Sequence, residues 1–185
     1  GRIMISYGGV SRNITENLAR MGASVSFCSV AGNDFVGRAA AEQLQLLGVD
    51  ISGVELLDGE STAIYLSILD NRGDMELALC NMDILERIDR DFMERSAVKA
   101  GGAKIVGIDT NMTEENIDYI TDKLSGTPIF IDPVSVHKAE RIKRLSGRFH
   151  TMKPNRLEAE AISGIAIASE SDLPRAADWF LEAGV

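Results

Sequence analysis

The residues most able to do chemistry stand together at Lys153-Pro154-Asn155-Arg156-Leu157-Glu158. A short β-like run, residues 149–152, precedes them, and a helix-like run, residues 156–163, follows. An amide and a carboxylate therefore meet at a strand-to-helix junction. In open α/β sheets, ligands bind at such junctions, outside the carboxyl ends of the strands. A helix start adds unpaired N–H groups and the positive end of the helix dipole, which suit phosphate. Lys153 adds a positive charge that serves a phosphate or simply faces water. Asn155 can donate or accept hydrogen bonds. Glu158 suits Mg²⁺, which takes one or two carboxylates beside water and substrate phosphates. An Asn followed three residues later by Glu is also a capping box. Both uses are open to the same two side chains.

The elements that must position this junction are legible on either side of it. Gly8-Gly9 breaks the first run, and a helix is predicted over residues 10–21. Val10, Ile14, Leu18 and Met21 share one face of it. Tandem glycines before a helix let a ligand approach the backbone, and Asn13 sits in the first turns. A plain turn with a surface Asn has the same pattern. A strand follows over residues 24–31, then a turn in which Asp34 is placed to cap a helix over 35–47 that Gly48 stops. Residues 62–69 and 75–80 alternate around Asn71-Arg72-Gly73, which predicts a β-hairpin. Such an insertion serves as a lid, as a dimer surface, or as an antiparallel edge of the main sheet.

From residue 89 the strand–helix rhythm returns. Helices are predicted over 91–100, 113–124, 138–145 and 173–182, with strands over 104–108 and 128–131. Three successive strands end in polar groups: Asp109 with Asn111, then Asp132, then Asn155 with Glu158. If these strands are parallel, their polar ends converge on one sheet edge, together with the Gly8-Gly9 turn.

Composition narrows the partners. The 185 residues suffice for one domain with a real core, and 45% hydrophobic content is that of a globular chain. A net charge of -9 without a long basic run argues against nucleic acid and anionic membranes as partners. Cys28 and Cys80 lie far apart in apolar runs, as buried free thiols would. His137 and His150 lack a Cys or His neighbour at metal-ligand spacing. No apolar run is long enough to span a membrane. Residues 1–7 read as the end of a strand already under way, and Val185 as the first residue of another. The chain is therefore expected to be a piece of a longer α/β protein.

Gly8-Gly9-Val10-Ser11-Arg12-Asn13 resembles the Gly-Gly-x-x-x-Asn motif of the ribokinase (PfkB) family of carbohydrate kinases. Asn155-Arg156-Leu157-Glu158 matches that family's Asn-x-x-Glu motif. The runs at residues 65–71, 132–135 and 150–160 look most like the members that phosphorylate pseudouridine. The resemblance covers essentially the whole chain. It implies a three-layer α/β/α, Rossmann-like fold, here one partial kinase domain over 1–185, with a small β lid from segments 1–7 and 60–82. It implies transfer of the ATP γ-phosphate, with Mg²⁺, to a hydroxyl of a sugar or nucleoside in the cytoplasm. Gly8, Gly9, Asn13, Asp109, Asn111 and Asp132 would then bind substrate. Lys153 and Asn155 would bind phosphates, and Glu158 would hold the metal. A homodimer through the lid is expected.

The family's Gly-Ala-Gly-Asp motif, which supplies the anion hole and catalytic base, is absent. No base can be assigned, and the chain alone is expected to be inactive. Ser11 stands where relatives often carry Gly or Ala, and Tyr7 where many carry Pro. Another sugar kinase of the family, or a non-catalytic binding fragment, are the alternatives.

Overall fold

The computed structural model describes residues 3–185, which group into two compact units. The first comprises residues 3–8 and Arg12–Asp89, and the second Gly9–Ser11 and Arg90–Val185.

Helix α1 (Val10–Arg20), which belongs to the first unit from Arg12 on, carries Arg12, Glu16 and Arg20 at four-residue spacing. Both arginines pair with Glu16, at 2.6 and 2.8 Å. Strand β1 (Ser26–Gly32), helix α2 (Phe35–Leu46) and strand β2 (Asp50–Leu57) form a βαβ unit whose two strands are parallel. Asp34 caps α2 as expected, accepting from the Gly37 N–H. The same carboxylate accepts from the N–H and hydroxyl of Thr62, tying the start of α2 to the root of the next element. Val30, Leu44, Val49 and Ile84 form the buried apolar part of this unit.

Strands β3 (Ile64–Leu69) and β4 (Met75–Asn81) pair antiparallel in a sheet of their own, so the predicted hairpin stands off the parallel strands. Its turn is closed by Asp70, which accepts from the N–H groups of Arg72 and Asp74. Those N–H groups, Asp74 first, hold the Asp70 carboxyl below its ordinary range. Alternation in the sequence implies one covered face, but every residue of both strands is exposed. Cys80 lies on β4 and is accordingly an exposed thiol, not the buried one expected; Cys28 is half-buried. The strand expected over residues 1–7 is not formed by residues 3–7, and residues 1 and 2 lie outside the described residues. No ladder partner lies beside this segment among the described residues, and Ile3, Met4 and Ile5 are exposed.

The second unit is built on a parallel sheet, ordered β5 (Val106–Asp109), β6 (Ile129–Asp132), β7 (Thr151–Met152). Helix α3 (Arg90–Ala100) precedes it and packs on α4 (Glu114–Lys123), which links β5 to β6. Thr113 caps α4 by accepting from the Asn116 N–H. The helix expected over 138–145 is instead a short helix α5 (Val136–Ala139) that tightens into a 3₁₀ segment, Glu140–Arg148. Helix α6 (Arg156–Ser163) follows β7 and ends at Gly164 in the left-handed conformation. Helix α7 (Leu173–Glu182) packs on α6. Ile117, Ile129, Ile131, Ile142, Leu145, Phe149 and Ile162 are buried to 3% exposure or less. Each such side chain contributes about 1.5–3 kcal/mol of transfer free energy.

Candidate functional site

Parallel pairing puts the carboxyl ends of β5, β6 and β7 on one edge. Asp109 and Asp132, the last residues of β5 and β6, are register partners. Asp109 is nearly buried. Its Oδ2 accepts from the Ser11 N–H at 3.2 Å and the Ser11 hydroxyl at 2.6 Å, and its Oδ1 accepts from the Asn111 N–H at 2.9 Å. Asn111 Oδ1 in turn accepts from Lys138 Nζ at 2.5 Å. Asp109 and Asn111 are thus already engaged with Ser11 and Lys138. Neither partner stood out in the sequence as one, because nothing in their spacing announces the contact.

Asp132 Oδ1 accepts from the Val134 N–H at 2.9 Å, and its Oδ2 lies 3.4 Å from Lys153 Nζ. The lysine is mostly exposed, so this pair adds at most about 1 kcal/mol. It does hold a cation at the sheet edge. The loop after Asp132 is strained: Val134 sits at φ 63°, where a β-branched residue is an outlier. Strain of this kind costs roughly 1–3 kcal/mol and needs surrounding bonds to hold it. The Pro133 carbonyl supplies two, accepting from the Thr110 hydroxyl at 2.5 Å and the Ser135 N–H at 2.6 Å.

At α6 the capping box is present in both directions. Asn155 Oδ1 accepts from the Glu158 N–H at 3.0 Å, and Glu158 Oε2 accepts from the Asn155 N–H at 2.8 Å. Glu158 is only 4% exposed. The box uses one polar atom of each side chain. Glu158 Oε1 and Asn155 Nδ2 have no partner among the described residues. Capping and ligand binding therefore do not compete for the same atoms. No group of three or more His, Cys, Asp or Glu able to hold a metal occurs among the described residues. A hydrated Mg²⁺ does not require one, and a single carboxylate oxygen at a helix start fits its usual partial coordination by protein.

Gly8 and Asn13 belong to the first unit. Among the described residues, no atom beyond its chain neighbours lies within 4 Å of the position a Cβ would take at Gly8, so the backbone is open to close approach there. Gly9 has φ 105°, which favours glycine. Asn13 is exposed, and its Oδ1 accepts from Arg12 Nη1 at 3.0 Å. Away from these residues, a cavity of about 330 Å³ opens at the opposite ends of β6 and β7, lined by residues 125–129 and 147–150 and Gly184. It contains none of the candidate residues.

A parallel sheet with acids at its carboxyl edge and a capped helix start that follows a lysine is an arrangement that suits phosphate. The chain belongs to the pfkB family of carbohydrate kinases, whose profile it matches over residues 1–185. It is 37% identical over 185 residues to a pseudouridine kinase of Escherichia coli, covering 100% of this chain and 59% of that protein. It is 36% identical to the uncharacterized sugar kinase YeiI of the same organism, covering 51% of it. Among solved structures, a putative sugar kinase from Clostridium perfringens superposes with a TM-score of 0.87 at 36% identity, over 100% of this chain and 58% of that one. An Arabidopsis thaliana ribokinase complexed with ribose and ATP shares the fold, with a TM-score of 0.75 at 18% identity, over 96% of this chain and 58% of that one. The fold is thus ribokinase-like α/β, as expected. The chain spans between half and three-fifths of the length of these relatives. No helix among the described residues is long and apolar enough to cross a membrane.

Proposed function

We propose that the complete protein transfers the γ-phosphoryl group of ATP to a hydroxyl of a sugar or nucleoside, with the 5′-hydroxyl of pseudouridine as the preferred acceptor. The observation that carries this reading is the α6 capping box, which leaves Glu158 Oε1 free at a helix start beside Lys153. Phosphoryl transfer depends on positioning and charge neutralisation more than on covalent chemistry. The N–H groups of the first turn of α6 and Lys153 Nζ bind phosphate oxygens. Glu158 Oε1 holds the hydrated Mg²⁺, which when bound offsets phosphate charge. Asn13, with Gly9 and the open backbone at Gly8, recognises substrate hydroxyls, and Asp132 and Asn111 line the substrate surroundings. No residue of this chain is assigned as the base. The reaction is placed in the cytoplasm. The lid hairpin pairs with a second copy of itself, because its apolar residues are exposed on both faces.

The state of the cations supports a substrate without a phosphate. Arg12 is buried on its own unit's acceptors, Lys138 donates to Asn111, and Lys153 is assigned to the nucleotide's phosphates. A phosphosugar would need a cluster of basic side chains for its second anion. The similarity to pseudouridine kinase supports the nucleoside, while the similarity to YeiI and to the Clostridium perfringens protein keeps a sugar as the rival. The deciding measurement is kcat/KM of the complete enzyme with ATP and Mg²⁺ for pseudouridine, uridine, ribose and fructose 6-phosphate. Pseudouridine is expected to lead. A lead for ribose or fructose 6-phosphate would reject the nucleoside and keep the kinase.

A further inference from the structure

We infer that Arg12 is a positioning residue that turns the Asn13 amide so that its outward Nδ2 donates to a lone pair on the substrate. The inference rests on the reading above that Asn13 contacts substrate.

Arg12 is 7% exposed, although arginine is rarely buried without partners. Its two terminal nitrogens are fully committed. Nη2 donates to Glu16 Oε2 at 2.6 Å and Gln43 Oε1 at 2.5 Å. Nη1 donates to the Tyr7 carbonyl at 3.2 Å and to Asn13 Oδ1 at 3.0 Å. Its guanidinium carbon also lies 5.9 Å from the centre of the Tyr7 ring. One nitrogen therefore holds both the chain entering the glycine pair and the Asn13 amide.

The direction of the Asn13 contact follows from chemistry. An amide can be turned end for end at little cost, and which end is oxygen is normally settled by its neighbours. A guanidinium has five donors and no acceptor. Only the oxygen of Asn13 can face it. Nδ2 is left outward on an exposed side chain, with no partner among the described residues. It carries two N–H donors and nothing that can accept. A ligand group meeting it must offer a lone pair, as a hydroxyl or ring oxygen does.

Glu16 and Gln43 keep Arg12 from turning away. Glu16 is itself held by Arg20, and the two arginines, Arg20 first, keep its carboxyl below the ordinary range. Arg12 is thereby anchored from α1 and α2 while pointing one N–H at Asn13.

The test is a binding cycle in the complete protein, with pseudouridine as probe and calorimetry without ATP as readout. Asn13→Ala, Arg12→Lys and the double variant are compared, with thermal midpoints measured alongside. A lysine keeps the charge for Glu16 but cannot span all four acceptors. Loss of one oriented hydrogen bond predicts about a tenfold rise in Kd for each single variant. The double variant should bind no more weakly than Asn13→Ala, because Arg12 acts through Asn13. Additive losses would overturn the inference, since a merely structural arginine affects binding in either background. Asn13→Asp decides even if Arg12→Lys does not fold. It keeps an acceptor for Arg12, so the thermal midpoint should hold or rise, but it has no donor, so Kd should rise about tenfold or more. Unchanged or tighter binding by Asn13→Asp would show that Asn13 accepts from substrate and overturn the inference. If Asn13→Ala itself leaves Kd unchanged, the substrate role of Asn13 fails first, and the inference with it.

Discussion

Glu158 is where capping and chemistry can be separated. In the complete protein, Glu158→Gln retains an oxygen that can accept from the Asn155 N–H, now at 2.8 Å. The Asn155 half of the box, from Oδ1 to the Glu158 N–H at 3.0 Å, is untouched. What is lost is the charge at the first turn of α6, worth about 0.3–1 kcal/mol against the helix dipole. Burial at 4% exposure makes the charged form costly in the first place, so removing it recovers part of that loss. A net change of about 0.5 kcal/mol corresponds to roughly 1–2 °C in a protein of this size class. Asn155→Ala, by contrast, removes a cap worth about 1 kcal/mol and should lower the midpoint by about 2–4 °C.

Turnover should follow the opposite order in charge. If Glu158 Oε1 holds hydrated Mg²⁺, the Gln variant loses about 10- to 100-fold in kcat or metal affinity, the range for groups that orient a metal's shell. The assay is initial rate against Mg²⁺ concentration at saturating ATP and pseudouridine, beside calorimetric thermal midpoints. The expected result is a right-shifted Mg²⁺ curve with a nearly unchanged midpoint. A Gln variant with wild-type turnover at every Mg²⁺ concentration would refute the metal role and leave Glu158 as a cap. A fall of many degrees in the midpoint would refute the claim that the two roles use separate oxygens.

Two other outcomes are expected. The N–H of Thr62 first, then that of Gly37, hold the Asp34 carboxyl below its ordinary value of 3.8, so its charged form stabilises the fold above that pH and the contribution fades as pH falls through the lowered value. Asp34→Asn keeps an oxygen for the Gly37 N–H but loses the one that accepts from the Thr62 N–H, so it should cost about 0.5–1.5 kcal/mol in urea unfolding near neutral pH, with the gap to wild type closing below about pH 4; a gap that widens in acid would contradict this. For the lid, sedimentation of the complete protein should show a dimer that Leu66→Asp and Leu79→Asp dissociate without lowering the thermal midpoint of the monomer, since both side chains are half-exposed; an unchanged dimer would place the contact elsewhere.

Where the sequence was legible, the signal was local. Asp34 and Thr113 stood before helical periodicity and are caps. Asn155 and Glu158 stood at capping-box spacing and form one. Asn71-Arg72-Gly73 marked the turn of a real hairpin. Strand β2 carried no such signal. Asp50, Ser52, Gly53 and Glu55 break its apolar alternation, and it is held as a strand by its parallel partner β1. The segment 138–145 has helical periodicity, yet the chain tightens there into 3₁₀ geometry. Propensity is local, and β2 is set by a partner distant in sequence.

The candidate site divides along the same line. The acids and amides at strand ends could be found by position, because parallel strands must bring their ends to one edge. What each acid does could not. Asp109 holds Ser11, 98 positions away in sequence, whereas Asp132 holds Lys153 and the strained turn at Val134. The two are register partners on adjacent strands and would be read as equivalent from sequence. Arg12 shows the same limit more sharply. It is a charged residue beside a glycine pair, yet burial and four acceptors leave its terminal nitrogens no capacity for a ligand. A cation that is spent within the fold can shape recognition only through the neighbour it orients, and here that neighbour is Asn13.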